Sequence, residues 1–221
     1  MISAIKIFGL YENIINATLK SSIPYDMFIK RVSIEFQRAL VIEKIEGRVT
    51  KEPLDHGWSY LVTPIDDVLA YETKLPFLSQ LSLYKDGDLF MCGAYSYTSG
   101  KSLYMFTSNN EINVKTGQSY CRLTRSYSNA SKVVEIDSIR NTDILEYLTH
   151  LHENKRKKVI CYDSIGVMMF KLVIGDIDKF YAHRNTDIPL SEISKFIELT
   201  DVNINCVNSV YEYSYERGDR T

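Results

Sequence analysis

The 221-residue chain has little cysteine, little proline and no excess of either charge, and each shortage excludes something. Its four cysteines, Cys92, Cys121, Cys161 and Cys206, lie far apart and make no Cys-x-x-Cys or Cys/His spacing. That excludes a sequence-local zinc site or a disulfide scaffold and favours free, buried thiols in a reducing compartment. Lys+Arg 26 against Asp+Glu 28 leaves a formal charge of -2, so no global basic excess drives phosphate neutralisation and nucleic acid is not an expected partner. No stretch approaches the roughly eighteen apolar residues of a membrane span, so no membrane is expected. Met1 to Leu10 lacks a charged segment followed by a sustained apolar core, which makes the cytoplasm the expected location. Also missing are a Gly-rich phosphate loop, a Gly-x-Ser-x-Gly elbow and a Cys/His nucleophile pattern. There is no internal repeat and no low-complexity linker, which argues for a single domain over 1–221.

What is present begins with helices. Ile7, Leu10, Tyr11, Ile14, Ile15 and Leu19 recur at spacings of three and four and predict an amphipathic helix over residues 4 to 20. A second helix is expected after Pro24, with Met27, Phe28, Val32, Ile34, Phe36, Leu40 and Ile42 as core candidates and Gly47 as its stop. Residues 1 to 50 thus form an N-terminal helical part.

Residues 55 to 137 change to the period of strands. WSYLV runs into Pro64; PFLSQLSLY and LFMCGAYSY flank a Lys85-Asp86-Gly87-Asp88 turn; further turns at Ser99-Gly100 and Asn109-Asn110 predict an antiparallel meander ending near VVEI at 133 to 136. Residues 138 to 210 read as a mixed half. A helix capped by Thr142 is followed by the strand VICY, a helix opened by Asp163-Ser164 and closed by Gly175, the strand KFYAH, and a helix from Pro189 to about Leu199. The fold class is α+β.

The chemistry concentrates where the strand from Trp58 stops at Pro64-Ile65 and delivers Asp66 and Asp67. Hard divalent cations need clustered oxygen ligands, and catalytic magnesium sites collect acids from separate strand ends. Asp66 suits that role at a strand end, and Asp187 suits it where a helix follows a strand. The ordinary alternatives are a turn former for Asp66 and a helix cap for Asp187. Other features read as structural: His150 and His152 as a solvated helical pair, Lys155 to Lys158 as a solvated loop, and Tyr95, Tyr97 and Tyr104 as cross-strand aromatic pairs.

VTPIDDVLAY resembles the signature of the inositol monophosphatase family, magnesium-dependent, lithium-sensitive sugar and nucleotide phosphatases in which a strand beginning with Trp runs into Asp-Pro-Ile-Asp-Gly-Thr. Trp58, Pro64, Ile65 and Asp66 match. PFLSQLSLY is similar to the following strand. CYDSIGVMMFKLVIGDIDKFY resembles the family's Arg-x-Gly-Ser-Ala-Ala helix and the segment after it, with Ser164, Gly175, Asp178 and Phe180 in register, and TDIPLSEISKFI resembles the Trp-Asp-x-Ala-Ala helix, with Asp187 at the metal-binding position. The resemblance spans roughly residues 55 to 210. It implies a layered α-β-α-β-α sandwich, magnesium held by Asp66, Asp187 and the Ile65 carbonyl, Asp163 and Ser164 near the substrate, and a homodimer.

The departures from that pattern carry equal weight. Thr63 replaces the first aspartate, Asp67 and Val68 replace the Gly-Thr pair, Asp163 replaces a glycine and Thr186 a tryptophan. No Gly-Glu-Glu equivalent exists beyond Glu52. The implied function is a divergent family-like protein with a degraded metal site, magnesium binding that is weak or absent, and weak or no phosphatase activity. The alternative is an active magnesium-dependent phosphomonoesterase acting on a small phosphorylated metabolite such as an inositol phosphate.

Overall fold

A computed structural model describes residues 4–108, 111–117, 119–123, 133–136, 158–161, 164–177, 179–183, 202–207 and 210–215. Two helices lead: α1 (Ala4–Leu19) and α2 (Tyr25–Ile42). α2 buries Phe28, Val32, Phe36 and Leu40, a four-residue repeat that lays one stripe along the helix. It stops where Lys44 takes a positive φ of 55° and the Ile45 N–H turns back to the Leu40 carbonyl at 2.8 Å.

The first sheet has seven strands in chain order: β1 (Arg48–Thr50), β2 (Trp58–Thr63), β3 (Leu78–Lys85), β4 (Asp88–Ser96), β5 (Lys101–Phe106), β6 (Glu111–Thr116) and β7 (Ser119–Arg122). From β2 to β7 every pairing is antiparallel; the turn signals predict those from β3 to β6, whereas β7 and its turn after β6 are not among the expected elements. At the β3–β4 turn Asp86 and Gly87 both take positive φ, 53° and 86°, the type I′ geometry that an Asp-Gly pair accepts without strain. The period-2 reading does not anticipate β1, which pairs parallel to β2, nor the short helix α3 (Val68–Glu72).

Alternation along the strands sends side chains to opposite faces. On one face Phe77, Leu81, Leu83, Met91 and Tyr95 pack with α1 and α2, where Tyr11, Phe36 and Tyr60 form successive edge-on contacts at 5.3 and 6.2 Å. Each fully buried ring of this kind contributes about 2 kcal/mol of apolar transfer. α1 approaches β4 so closely that a Cβ on Gly93 would lie 2.5 Å from the Phe8 ring. On the other face Leu78, Cys92, Ala94, Leu103 and Met105 pack against α4 (Ile165–Ile174). This helix starts at the Ser164 cap and ends at Gly175 (φ 82°), as its sequence predicts.

Beyond α4 lies a second sheet containing β8 (Val133–Ile136), β9 (Lys158–Cys161), β10 (Lys179–His183), β11 (Val202–Val207) and β12 (Val210–Tyr215), ordered β11-β12-β10-β8-β9. Phe180 and Tyr213 stack across its β10–β12 pair at 4.4 Å. Helices, sheet, helix and sheet thus alternate as an α+β sandwich; the helices expected at Thr142 and Pro189 fall outside the described residues.

Three expectations about the core need correction. Met27, Ile34 and Ile42 are exposed, because α2 turns its Phe28-Val32-Phe36-Leu40 stripe inward instead. The amphipathic α1 stands as its spacing predicts: Leu10, Ile14 and Leu19 pack partly buried against the core, Phe8 and Glu12 are enclosed, and the Glu12 carboxylate accepts from Ser102 and pairs with Lys115 across the face of the sheet. Cys92 is buried as expected, but Cys121 is exposed. Tyr95 also departs from the cross-strand aromatic reading, since its hydroxyl donates to Asn16 Oδ1 on α1 at 2.7 Å.

Candidate functional site

The end of β2 is held by backbone-directed contacts. The Ser79 hydroxyl donates to the Pro64 carbonyl at 2.6 Å, and the Asp66 N–H donates to the Leu78 carbonyl at 3.0 Å. Pro64 and Ile65 are buried. These bonds fix the chain so that Asp66 points across the start of β3 toward α4.

Both Asp66 oxygens are engaged. Oδ1 accepts from the Leu78 N–H at 2.7 Å, and Oδ2 accepts from the Ser164 hydroxyl at 2.6 Å. Ser164 Oγ also accepts the Val167 N–H at 3.1 Å, so one hydroxyl caps α4 and ties it to Asp66. The carboxylate lies against the first turn of that helix; a Cβ on Gly166 would come within 2.1 Å of Oδ2. Gly166 therefore makes the room. Although the residue keeps partial exposure, its carboxylate is enclosed, and burial pushes its pKa up to about 7. The Asp67 charge pushes the same way, while the bonds from Ser164 and Leu78 oppose it.

Asp67 turns elsewhere. Its Oδ1 accepts from the Ala70 N–H at 2.8 Å and caps α3. Adjacent residues on extended backbone point apart, so the pair does not converge into one ligand set. Thr63 ends β2 opposite Gln80, Val68 is the exposed first residue of α3, and Glu52 lies on an exposed bend after β1. Of the expected site residues, the structure brings Asp66 and Ser164 together. Asp163 and Asp187 lie outside the described residues, as do Asp178, Thr186, His150, His152 and Lys155 to Lys157.

Sequence reasoning missed the Leu78 amide and Gly166. The first carries no sequence signal, being backbone; the second is a glycine inside an apolar helical run, where a close approach is its usual reason.

A magnesium site of the implied kind asks for several anionic oxygens in near-octahedral array. Among the described residues no group of three or more His, Cys, Asp or Glu side chains converges. On the α4-facing side of β3, Gln80 Oε1 and Ser82 Oγ are buried with no hydrogen-bond partner. Those are neutral oxygens, suited to a buried water rather than to a divalent cation. With Thr63 neutral and Asp67 capping a helix, Asp66 is left without other anionic oxygens converging on it, and the described residues do not fit a magnesium cluster.

No protein-family model matches the sequence, and no curated protein matches it. Solved structures do resemble its fold. SaIMPase-II with inositol monophosphate bound is 12% identical, with a TM-score of 0.59 over 95% of this chain and 87% of that one. CysQ from Bacteroides thetaiotaomicron, a bacterial member of the inositol monophosphatase family, is 8% identical with a TM-score of 0.62 over 94% of each chain. An extragenic suppressor from Pyrococcus furiosus is 11% identical with a TM-score of 0.63 over 97% and 94%. Near-complete coverage in both directions, joined to the two sheets and intervening helix described above, shows that this chain has the inositol monophosphatase fold.

Proposed function

We propose that the chain is a divergent inositol monophosphatase-like protein whose cation site has eroded, leaving weak or no phosphatase activity on a fold retained for binding. The observation that carries this reading is that, among the described residues, no group of three or more His, Cys, Asp or Glu side chains gathers at Asp66, and the neighbouring Asp67 turns away to cap α3. Thr63 supports it, because a neutral hydroxyl cannot supply the bridging charge that the resemblance requires at that position. Loss of one well-placed electrostatic element costs on the order of 10²- to 10³-fold in rate. The ligand class is a small phosphorylated metabolite, in keeping with the inositol monophosphate bound by SaIMPase-II.

The test is turnover of inositol monophosphate, fructose bisphosphate and adenosine bisphosphate by the full chain, with calorimetric titration of magnesium and manganese beside it. Negligible turnover and no saturable site at millimolar cation are expected. Robust magnesium-dependent turnover abolished by Asp66→Asn would refute the erosion and establish the competing reading, an active phosphomonoesterase using Asp66 and Asp187.

A further inference from the structure

Helix α2 has two apolar stripes, and only one is covered. Phe28, Val32, Phe36 and Leu40 are fully buried, whereas Met27, Ile34 and Val41 on the opposite side are 59%, 55% and 67% exposed, with Ile42 at 68% beside them. Met27, Ile34 and Val41 are each seven residues apart. An α-helix drifts only about 20° per seven residues, so the three side chains line up along the solvent face over about 21 Å.

Cations flank this line. Lys30 and Arg31 follow Met27 by three and four positions, and Arg38 follows Ile34 by four. Arg31 donates to the Ser21 hydroxyl at 3.3 Å, and among the described residues no carboxylate pairs with Lys30, Arg31 or Arg38. The face is therefore a narrow apolar seam with cations nearest to it; Asp26 and Glu35 stand further round the helix, each four positions from a cation, without an ion pair to Lys30, Arg31 or Arg38.

We propose that the solvent face of α2 is a docking surface for an acidic amphipathic helix of a partner protein, its apolar anchors at heptad spacing and its carboxylates beside them. A line of this width suits the apolar row of one facing helix, with one anchor per heptad and flanking charges that select the partner. A second copy of this chain is the wrong occupant on charge. Antiparallel pairing centred on Ile34 sets Arg31 against Arg38 of the other copy, and parallel pairing sets Arg31 against Lys30 of the other copy. A membrane surface is disfavoured by shape: interfacial helices bury a broad face bearing Trp, Phe or Leu, and this line carries none of the three.

The test uses the full chain and a fluorescein-labelled peptide of about three heptads with Leu at the a and d positions and Glu at e and g, read by anisotropy. An otherwise identical peptide with Lys for Glu is the control, alongside phosphatidylserine vesicles and sedimentation of the chain alone. Micromolar binding of the Glu peptide is expected, weakening with salt and at least tenfold weaker for Ile34→Lys. The Arg31→Glu, Arg38→Glu double variant should reverse the preference to the Lys peptide; both arginines and Ile34 lie on the exposed face, so the fold should tolerate these changes. Four results overturn the proposal: no peptide binding, equal binding of both peptides, vesicle binding that the Glu peptide does not displace, or a dimer that Ile34→Lys abolishes.

Discussion

Replacing Asp66 with Asn isolates the cost of holding a carboxylate where this fold holds it. Asn keeps an Oδ1 for the Leu78 N–H and offers an Nδ2–H to Ser164 Oγ, reversing that bond so that the Ser164 proton must turn to another acceptor, while the charge disappears. The wild-type pKa is raised from 3.8 to about 7 in the folded chain. A raised carboxyl pKa means that the folded state binds the proton more tightly than the unfolded state. Stability therefore falls as pH rises between those two values and stays reduced above the higher one. About three units at about 1.4 kcal/mol each bounds the effect near 4 kcal/mol, and partial exposure of the residue brings the expectation to about 2 kcal/mol. Urea unfolding in EDTA should find Asp66→Asn and wild type diverging by that amount at about pH 8.5, with Asn the more stable, and converging toward about pH 4, where both side chains are neutral. In a chain of this size the gap at high pH corresponds to roughly 4–8 °C in Tm. An Asn variant less stable than wild type at high pH would refute the reasoning. It would mean that the ionised carboxylate is a net stabiliser at the α4 N-terminus.

Gly166→Ala should destabilise by about 1–3 kcal/mol despite the better helix propensity of Ala, because the new Cβ meets Asp66 Oδ2. Combined with Asp66→Ala, a double-mutant cycle should recover at least about 1 kcal/mol of that loss, and strict additivity would disprove the clash. Lys115→Met should cost about 3 kcal/mol by chemical denaturation, since it leaves the buried Glu12 charge without its cation. Adding Glu12→Gln should return part of that stability, and an unchanged loss in the pair would show that the ion pair is not the cause.

Local order was legible in the sequence where one residue decides one conformation. Ser164 and Gly175 bound α4, Asp86-Gly87 sets the β3–β4 turn, and the two-residue period of β3 sorts Leu78 from Leu81 to opposite faces. The order of four faint motifs also pointed to the family whose fold the structure carries. The function of Asp66 was not legible in the same way, because its two oxygens are matched by a backbone amide 12 residues away and a hydroxyl 98 residues away. Spacing along the chain says nothing about either distance in space.

Helix α2 shows the same division. Its sequence fixes a helix and supplies two apolar stripes, each with a helical repeat, and nothing along the chain ranks one above the other. The tertiary structure chose Phe28, Val32, Phe36 and Leu40, because Tyr11 and Tyr60 offer Phe36 edge-on contacts on the sheet side. Met27, Ile34 and Val41 were left facing water. Periodicity determines which side chains share a face, but only packing against the rest of the molecule determines which face is buried, since that free energy belongs to the pair of surfaces and not to the helix alone.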